Sequence, residues 1–330
     1  MAATGIIWNI AGVALCLPLM VGGCALFTNG LEWIGKKKHW SHGVVGSVLA
    51  SVGTALPETS IPLIAILLLG SDRGRDIGVG AILGAPLVLT TVALAVAGIA
   101  ALSSPARGKS GVAVHTAILR EDLVWFLVAF ALALLSSHIR IAWIRIAPAL
   151  FLVGMYAFHI KGHFNEMRDG EADPPLLYIL RQRPNPRLRY CVGQSLLGLA
   201  VILLVAYFFV ARVQTLSLIL GASPALLSLF VSPIASELPE MINSTIWMRQ
   251  GRGTLALGNI TGAILYQGTI LAAIGMTFTS WHLHQELALA GVFSLAAAFF
   301  AIFALRAKNA AFPLLFSAFF FLLYLLLIAR

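Results

Sequence analysis

Apolar stretches long enough to cross a hydrocarbon core, which takes about 20 helical residues, recur from one end of this 330-residue chain to the other. Ten can be read, at about 5–30, 43–70, 76–102, 119–136, 141–160, 192–211, 216–247, 254–279, 286–305 and 310–329. In lipid every backbone N–H and C=O must be paired within the protein, which leaves helices or a closed barrel. These runs are too long and too uniformly apolar for the alternating strands of a barrel, so the expected class is an all-α polytopic membrane protein. With 59% hydrophobic and 11% charged residues, the composition agrees. The opening "MAATGIIWNI" carries no charge ahead of its apolar run, and that run is too long for a signal-peptide core, so it reads as the first helix.

A formal net charge of +9 raises the question of a nucleic-acid partner, and the placement of the 22 Lys and Arg residues answers it. With the N-terminus outside, 16 fall on inside loops, in groups around Lys36 to Lys38, Arg107 to Arg120, Lys161 to Arg189, Arg249 to Arg252 and Arg306 to Lys308. Five fall outside, and Arg145 lies near a helix end. This is the positive-inside asymmetry. It orients the chain in a cell (inner) membrane with both termini outside and the central loop cytoplasmic, and it calls for a lipid bilayer rather than nucleic acid. Cys16, Cys24 and Cys191 have neither metal nor redox spacing.

The one long hydrophilic segment, "KGHFNEMRDGEADPPLLYILRQRPNPRLRY" at 161–190, divides the chain into residues 1–160, a linker at 161–191, and residues 192–330, with five predicted helices on each side. Five is odd, so matching halves would have opposite orientations, the inverted-repeat design of many secondary transporters. "ASVGTALPETS" at 50–60 has a counterpart in "VSPIASELPEM" at 231–241, with Leu-Pro-Glu repeated at an offset of 182 residues (58 to 240). "GVGAILGAPL" at 78–87 matches "ALGNITGAIL" at 256–265, with Gly80 and Gly84 answering Gly258 and Gly262 at an offset of 178 (80 to 258). Ten transmembrane helices arranged as two inverted five-helix repeats are therefore expected.

The Leu-Pro-Glu pairs put Glu58 and Glu240 near the centres of two spans, with Glu237 one turn before Glu240. A charge there costs about 2.5–3.5 kcal/mol on insertion scales, and no Lys, Arg or His lies at that depth on spans two, three, seven or eight. Protons or metal cations remain as compensation. Pro57 and Pro239 are expected to break their helices and free carbonyls around Ser51 to Thr54 and Pro233 to Ser236, and free carbonyls are ligands for a hard cation such as Ca²⁺. Thr54 and Ser236 stand four residues before their glutamates, on the same helical face. Gly80, Gly84, Gly258 and Gly262 give spans three and eight small faces on which backbones can approach.

"GTALPE" with "GAILGAP", and "SPIASELPE" with "LALGNITGA", resemble the two α-repeats of the calcium:cation antiporter superfamily, the sodium/calcium exchangers and their relatives. The resemblance covers about 43–90 and 226–270. It implies Ca²⁺ binding at Glu58 and Glu240, with oxygens for the ions from Thr54 and Ser236. The chain also departs from that pattern. Ala55 and Glu237 replace the usual serines, and Ala81, Ala85 and Leu89 stand where the first-half ligands of the third helix would be; the second half keeps Asn259 and places Gln267, with Ala263 in place of a serine. Glu237 can hold Na⁺ or a proton.

The expected function is a secondary antiporter exchanging Ca²⁺ or a similar divalent cation for Na⁺ or H⁺ by alternating access, with the ions bound between the two Leu-Pro-Glu motifs. It is not an enzyme, and no tightly bound cofactor is expected. No nucleotide partner is expected either, since "ARGKS" at 106–110 lacks the first glycine and the strand of a phosphate loop. Inorganic cations are the expected partners, and the oligomeric state is left open. The alternatives are a monovalent cation/proton antiporter without calcium transport, a transport-inactive ion sensor, and an intramembrane enzyme with a Glu58/Glu240 acid–base pair, for which no nucleophile is at hand.

Overall fold

The computed structural model describes residues 2–38, 50–105, 112, 114–163, 176–180, 185–306 and 314–329, with the side chains of 2–4, 50–54, 162, 163 and 180 left out. Among the described residues the regular structure is helical, with no strand. Among these residues ten helices of a dozen residues or more follow one another. They are α1 (Ala2–Lys37), α2 (Ala50–Leu63, carried on as a π-helix over Ile64–Leu68), α3 (Asp72–Val88, a π segment Leu89–Ala93, then Leu94–Leu102), α4 (Thr116–Leu135) and α5 (Ala142–His163). After the linker come α6 (Leu188–Leu220), α7 (Pro224–Arg249), α8 (Gly253–Tyr266, a π segment Gln267–Leu271, then Ala272–Phe278), α9 (Gln285–Ala304) and α10 (Ser317–Ile328).

By length and composition seven of these can cross a membrane, namely α1, α3, α5, α6, α7, α8 and α9. α2 and α10 are shorter apolar helices, and α4 carries Arg120, Glu121 and Asp122 in its first turns. Residues 43–49 of the second predicted span lie outside the described residues. Large apolar side chains such as Trp8 and Leu15 on α1, Phe151 and Phe158 on α5 and Leu204 on α6 face outward, which suits hydrocarbon and not water.

The boundary between the sixth and seventh helices corrects the sequence expectation. The spans 192–211 and 216–247 place the break too early, whereas α6 runs on to Leu220 and ends at Gly221, whose φ of +62° suits glycine. The amide of Ala222 then bonds the carbonyl of Ser217 at 3.0 Å. Ser223 caps α7, and Pro224 takes its first turn, where its missing N–H costs nothing.

Among the described residues two large apolar clusters form the interior, beside a small third one of Trp33, Leu177 and Cys191. One joins α1 and α6 with the inner faces of α2 and α3; the other gathers α3, α4, α5, α7, α8, α9 and α10. α1 against α6 is the most extensive helix pair, followed by α3 against α7. Glycine makes the second pairing possible. A Cβ on Gly80 would collide with the backbone of Ala225, and one on Gly84 with the backbone of Leu229. Among the described residues nothing approaches the matching glycines of α8 in this way. Leu119 alone stands near Gly258, at 3.7 Å from a Cβ built there, and among the described residues nothing lies within 4 Å of one at Gly262. An offset of 182 places the counterparts of Ala225 and Leu229 at Gly43 and Ser47, which lie outside the described residues.

Pro57 and Pro239 also differ from expectation. Both lie inside helices that continue through them. A proline deletes one ladder bond and leaves the carbonyl four residues back without its helical donor. The carbonyls concerned are those of Gly53 and Ala235, and the turns on either side hold the helix together.

Candidate functional site

α2 and α7 bring three carboxylates to one point between the two apolar clusters. Glu58, Glu237 and Glu240 are 3%, 0% and 1% exposed, and a carboxylate oxygen from each lies within 4.8 Å of the other two. Two oxygens bound to one Ca²⁺ at about 2.3–2.6 Å can be no more than about 5 Å apart, so one cation can touch all three. The Lys and Arg residues of α2, α3, α7 and α8 are confined to helix ends, at Arg73, Arg75 and Arg249. Three like charges this close, buried and distant from those residues, are not held ionised together without bound cations or protons.

Among the described residues the hydrogen-bonding neighbours of Glu237 come from the second half of the chain. Ser236 Oγ donates to Glu237 Oε1 at 2.5 Å and points back to the Ser232 carbonyl at 3.3 Å. Gln267 Nε2 donates to Glu237 Oε2 at 2.8 Å. Among the described residues its own Oε1 is buried without a hydrogen bond, as is Oε2 of Glu58. These unfilled acceptors border the carboxylates, which is the donor set of a hard cation or of a proton. Gln267 opens the π segment of α8, and its counterpart at an offset of 178, Leu89, opens the π segment of α3. π turns often mark functional positions, and here the sequence repeat reappears in the backbone.

The other sequence candidates fall in different places. Asn259 donates to the backbone carbonyl of Glu240 at 3.3 Å and to Ser244 Oγ at 3.1 Å, so it braces α7 behind the carboxylate. Pro233 is buried within α7. Ser51 and Thr54 lie on the first turns of α2, and their side chains fall outside the described residues. Ala81, Ala85 and Leu89 on α3 are buried apolar side chains.

Sequence reasoning missed two polar features. Thr59, beside Glu58, shares a 2.8 Å hydrogen bond with the Tyr266 hydroxyl, tying α2 to α8. Asp122 on α4 accepts from Thr261 Oγ1 on α8 at 2.6 Å and lies 2.8 Å from His159 Nε2 on α5. The acid inside the fourth predicted span was the available signal, since an ionisable residue within a membrane helix is rare and needs a partner.

A model of the sodium/calcium exchanger protein family matches residues 8–160 and 191–330, leaving out the hydrophilic segment between them. The putative antiporter CaxA of Alkalimonas amylolytica is 27% identical over 266 residues, covering 80% of this chain and 78% of the relative. The inner membrane protein YrbG of Escherichia coli (strain K12) is 25% identical over 247 residues, covering 72% and 69%. Among solved structures, the H⁺/Ca²⁺ exchanger CAX superposes with a TM-score of 0.72 at 17% identity over 98% of this chain and 82% of that one. The sodium-calcium exchanger NCX_Mj gives 0.59 at 20% identity over 98% and 99%. At these identities the two structures establish a shared fold.

Proposed function

The chain belongs to the sodium/calcium exchanger protein family, and from that premise we propose that it exchanges Ca²⁺ or a similar divalent cation for Na⁺ or H⁺ by alternating access, with the cation held by Glu58, Glu237 and Glu240. The observation that carries this reading is the convergence of the three buried carboxylates within the span of one cation. Ca²⁺ is the cargo here and not a resident cofactor. Glu58 and Glu240 supply the two walls from α2 and α7, Glu237 adds the third, and Ser236 and Gln267 orient Glu237. The oxygens of Ser51 and Thr54 and the Gly53 carbonyl complete the α2 wall in this reading.

Two offsets found in the sequence, together with π segments at the same spacing, support ten membrane helices in two inverted repeats. The distribution of Lys and Arg supports a cytoplasmic 161–191 loop in an inner membrane. The apolar face of α3 favours protons over several sodium ions as the coupling species, because Ala81, Ala85 and Leu89 offer no side-chain oxygen.

Radiolabelled Ca²⁺ uptake into proteoliposomes under an imposed Na⁺ gradient, and separately under a pH gradient, tests the proposal. Uptake is expected with the pH gradient and is expected to vanish in Glu58→Gln and Glu240→Gln. Uptake driven by Na⁺ alone would move the coupling to sodium. A folded protein that moves no Ca²⁺ under either gradient would overturn the calcium reading and leave monovalent cation/proton exchange.

A further inference from the structure

Asn259 and Thr261 are two positions apart, which is about 200° around a helix at 100° per residue. The two side chains therefore leave α8 on opposite sides. Asn259 reaches α7, where it bonds the Glu240 carbonyl and Ser244; Thr261 reaches α4, where it donates to Asp122 Oδ2 at 2.6 Å. Asp122 is buried and bound on its other oxygen by His159 of α5 at 2.8 Å, with the Trp125 ring edge-on to the imidazole. α8 is thus pinned by hydrogen bonds from both flanks at one level.

Neither Gly258 nor Gly262 fixes the rotation of α8 by a close contact with the described residues. The glycines that bracket Thr261 meet little, with Leu119 at 3.7 Å from a built Cβ at Gly258 and nothing within 4 Å at Gly262 among the described residues. On α3 the corresponding glycines seat directly on the α7 backbone, and the residue matching Thr261 is the buried, apolar Leu83. A hydroxyl-to-carboxylate bond is stronger and more directional than a neutral one, and a buried acid stripped of its partners is costly. The pair is built to keep α8 in one rotational setting.

We infer that Asp122 and His159 are positioning residues that act through Thr261 on the ion site. They hold α8 so that Asn259 braces Glu240 and Gln267 reaches Glu237. The inference rests on the reading of the cation site above.

The test uses the full chain in proteoliposomes, with Cys16, Cys24 and Cys191 replaced by alanine. With Ser244→Cys and Asn259→Cys added, oxidation should cross-link α7 to α8 readily. Adding Thr261→Val should slow cross-linking about tenfold, the scale of a lost hydrogen bond to a charged group, and Thr261→Ser should restore it. Without the cysteine pair, Thr261→Val should raise the half-saturating Ca²⁺ about tenfold while the maximal rate changes less than about twofold, and Thr261→Ser should again restore it. A cross-linking rate within about twofold of the parent in Thr261→Val overturns the inference whatever transport does. Slowed cross-linking with unchanged half-saturation overturns its reach to the ion site. Slowed cross-linking in a chain whose parent carries no Ca²⁺ supports the positioning role and sinks the calcium reading alone. Asp122→Asn is expected to follow Thr261→Val, and if it fails to fold the threonine variants still decide.

Discussion

α3 and α8 share a glycine spacing and a π segment at one offset, yet they meet α7 in opposite ways. α3 presses its glycines onto the α7 backbone and turns buried Ala81, Ala85 and Leu89 inward. α8 brings neither Gly258 nor Gly262 into close contact with the described residues and reaches α7 through amides, at Asn259 and Gln267. The difference teaches that a duplicated scaffold need not keep duplicated chemistry. One helix is fitted to α7 by shape, the other by hydrogen bonds.

That contrast breaks most visibly at the glycines. Gly84→Ala forces a methyl group into the Leu229 backbone, which cannot swing away, and overpacking of this kind costs about 1–3 kcal/mol. The expected result is a clear fall in unfolding temperature in detergent and loss of most exchange. Gly262→Ala should leave both near the parent level or raise stability by up to about 1 kcal/mol through helix propensity. Equal damage from the two would remove the distinction.

Smaller effects are expected where α8 touches the carboxylates. Gln267→Leu takes the donor from Glu237 Oε2 and should raise the half-saturating Ca²⁺ about tenfold or more in uptake assays, since hydrogen bonds to charged groups are worth about 1.5–3 kcal/mol. Its mirror substitution sharpens the comparison. Leu89→Asn combined with Ala85→Ser gives α3 the oxygens it lacks and should shift the dependence on the Na⁺ gradient by a few-fold, about 1 kcal/mol, measured as the ratio of Na⁺-driven to pH-driven uptake. Tyr266→Phe removes only the bond to Thr59, whose hydroxyl keeps the Ala55 carbonyl at 2.6 Å. A change of about threefold or less in uptake rate is expected there, the low end of the range of one neutral hydrogen bond.

Much of the fold and the centre of the candidate site were legible in the sequence, because the signals were chemical and local. A glutamate in an oily run demands compensation wherever its helix lies, so Glu58, Glu237 and Glu240 could be named before any coordinate. What stayed hidden depended on rotation and on partners far along the chain. Asn259 was read as an ion ligand, but its amide faces the Glu240 carbonyl, a matter of which way one turn of α8 points. Asp122 and Thr261 are 139 residues apart in sequence, and nothing near either announces the other. The α6–α7 corner was written plainly in Gly221-Ala222-Ser223-Pro224 and was overridden by the continuous apolar character around it. The prolines were read as breaks because one lost ladder bond resembles an ending on paper; in the folded helix the neighbouring bonds are enough to carry the chain past it.

The π segments of α3 and α8 also carry a consequence for how these helices are to be surveyed. A π turn closes on the residue five along instead of four, so it spends one additional residue and advances the facing of everything beyond it by roughly 100°. A single helical wheel drawn from Gly253 to Phe278 therefore assigns wrong sides to the last seven residues, Ala272–Phe278. Mutational sensitivity plotted along α8 should consist of two wave trains of the same wavelength with a slip of phase at Gln267–Leu271, and α3 should show the same slip at Leu89–Ala93.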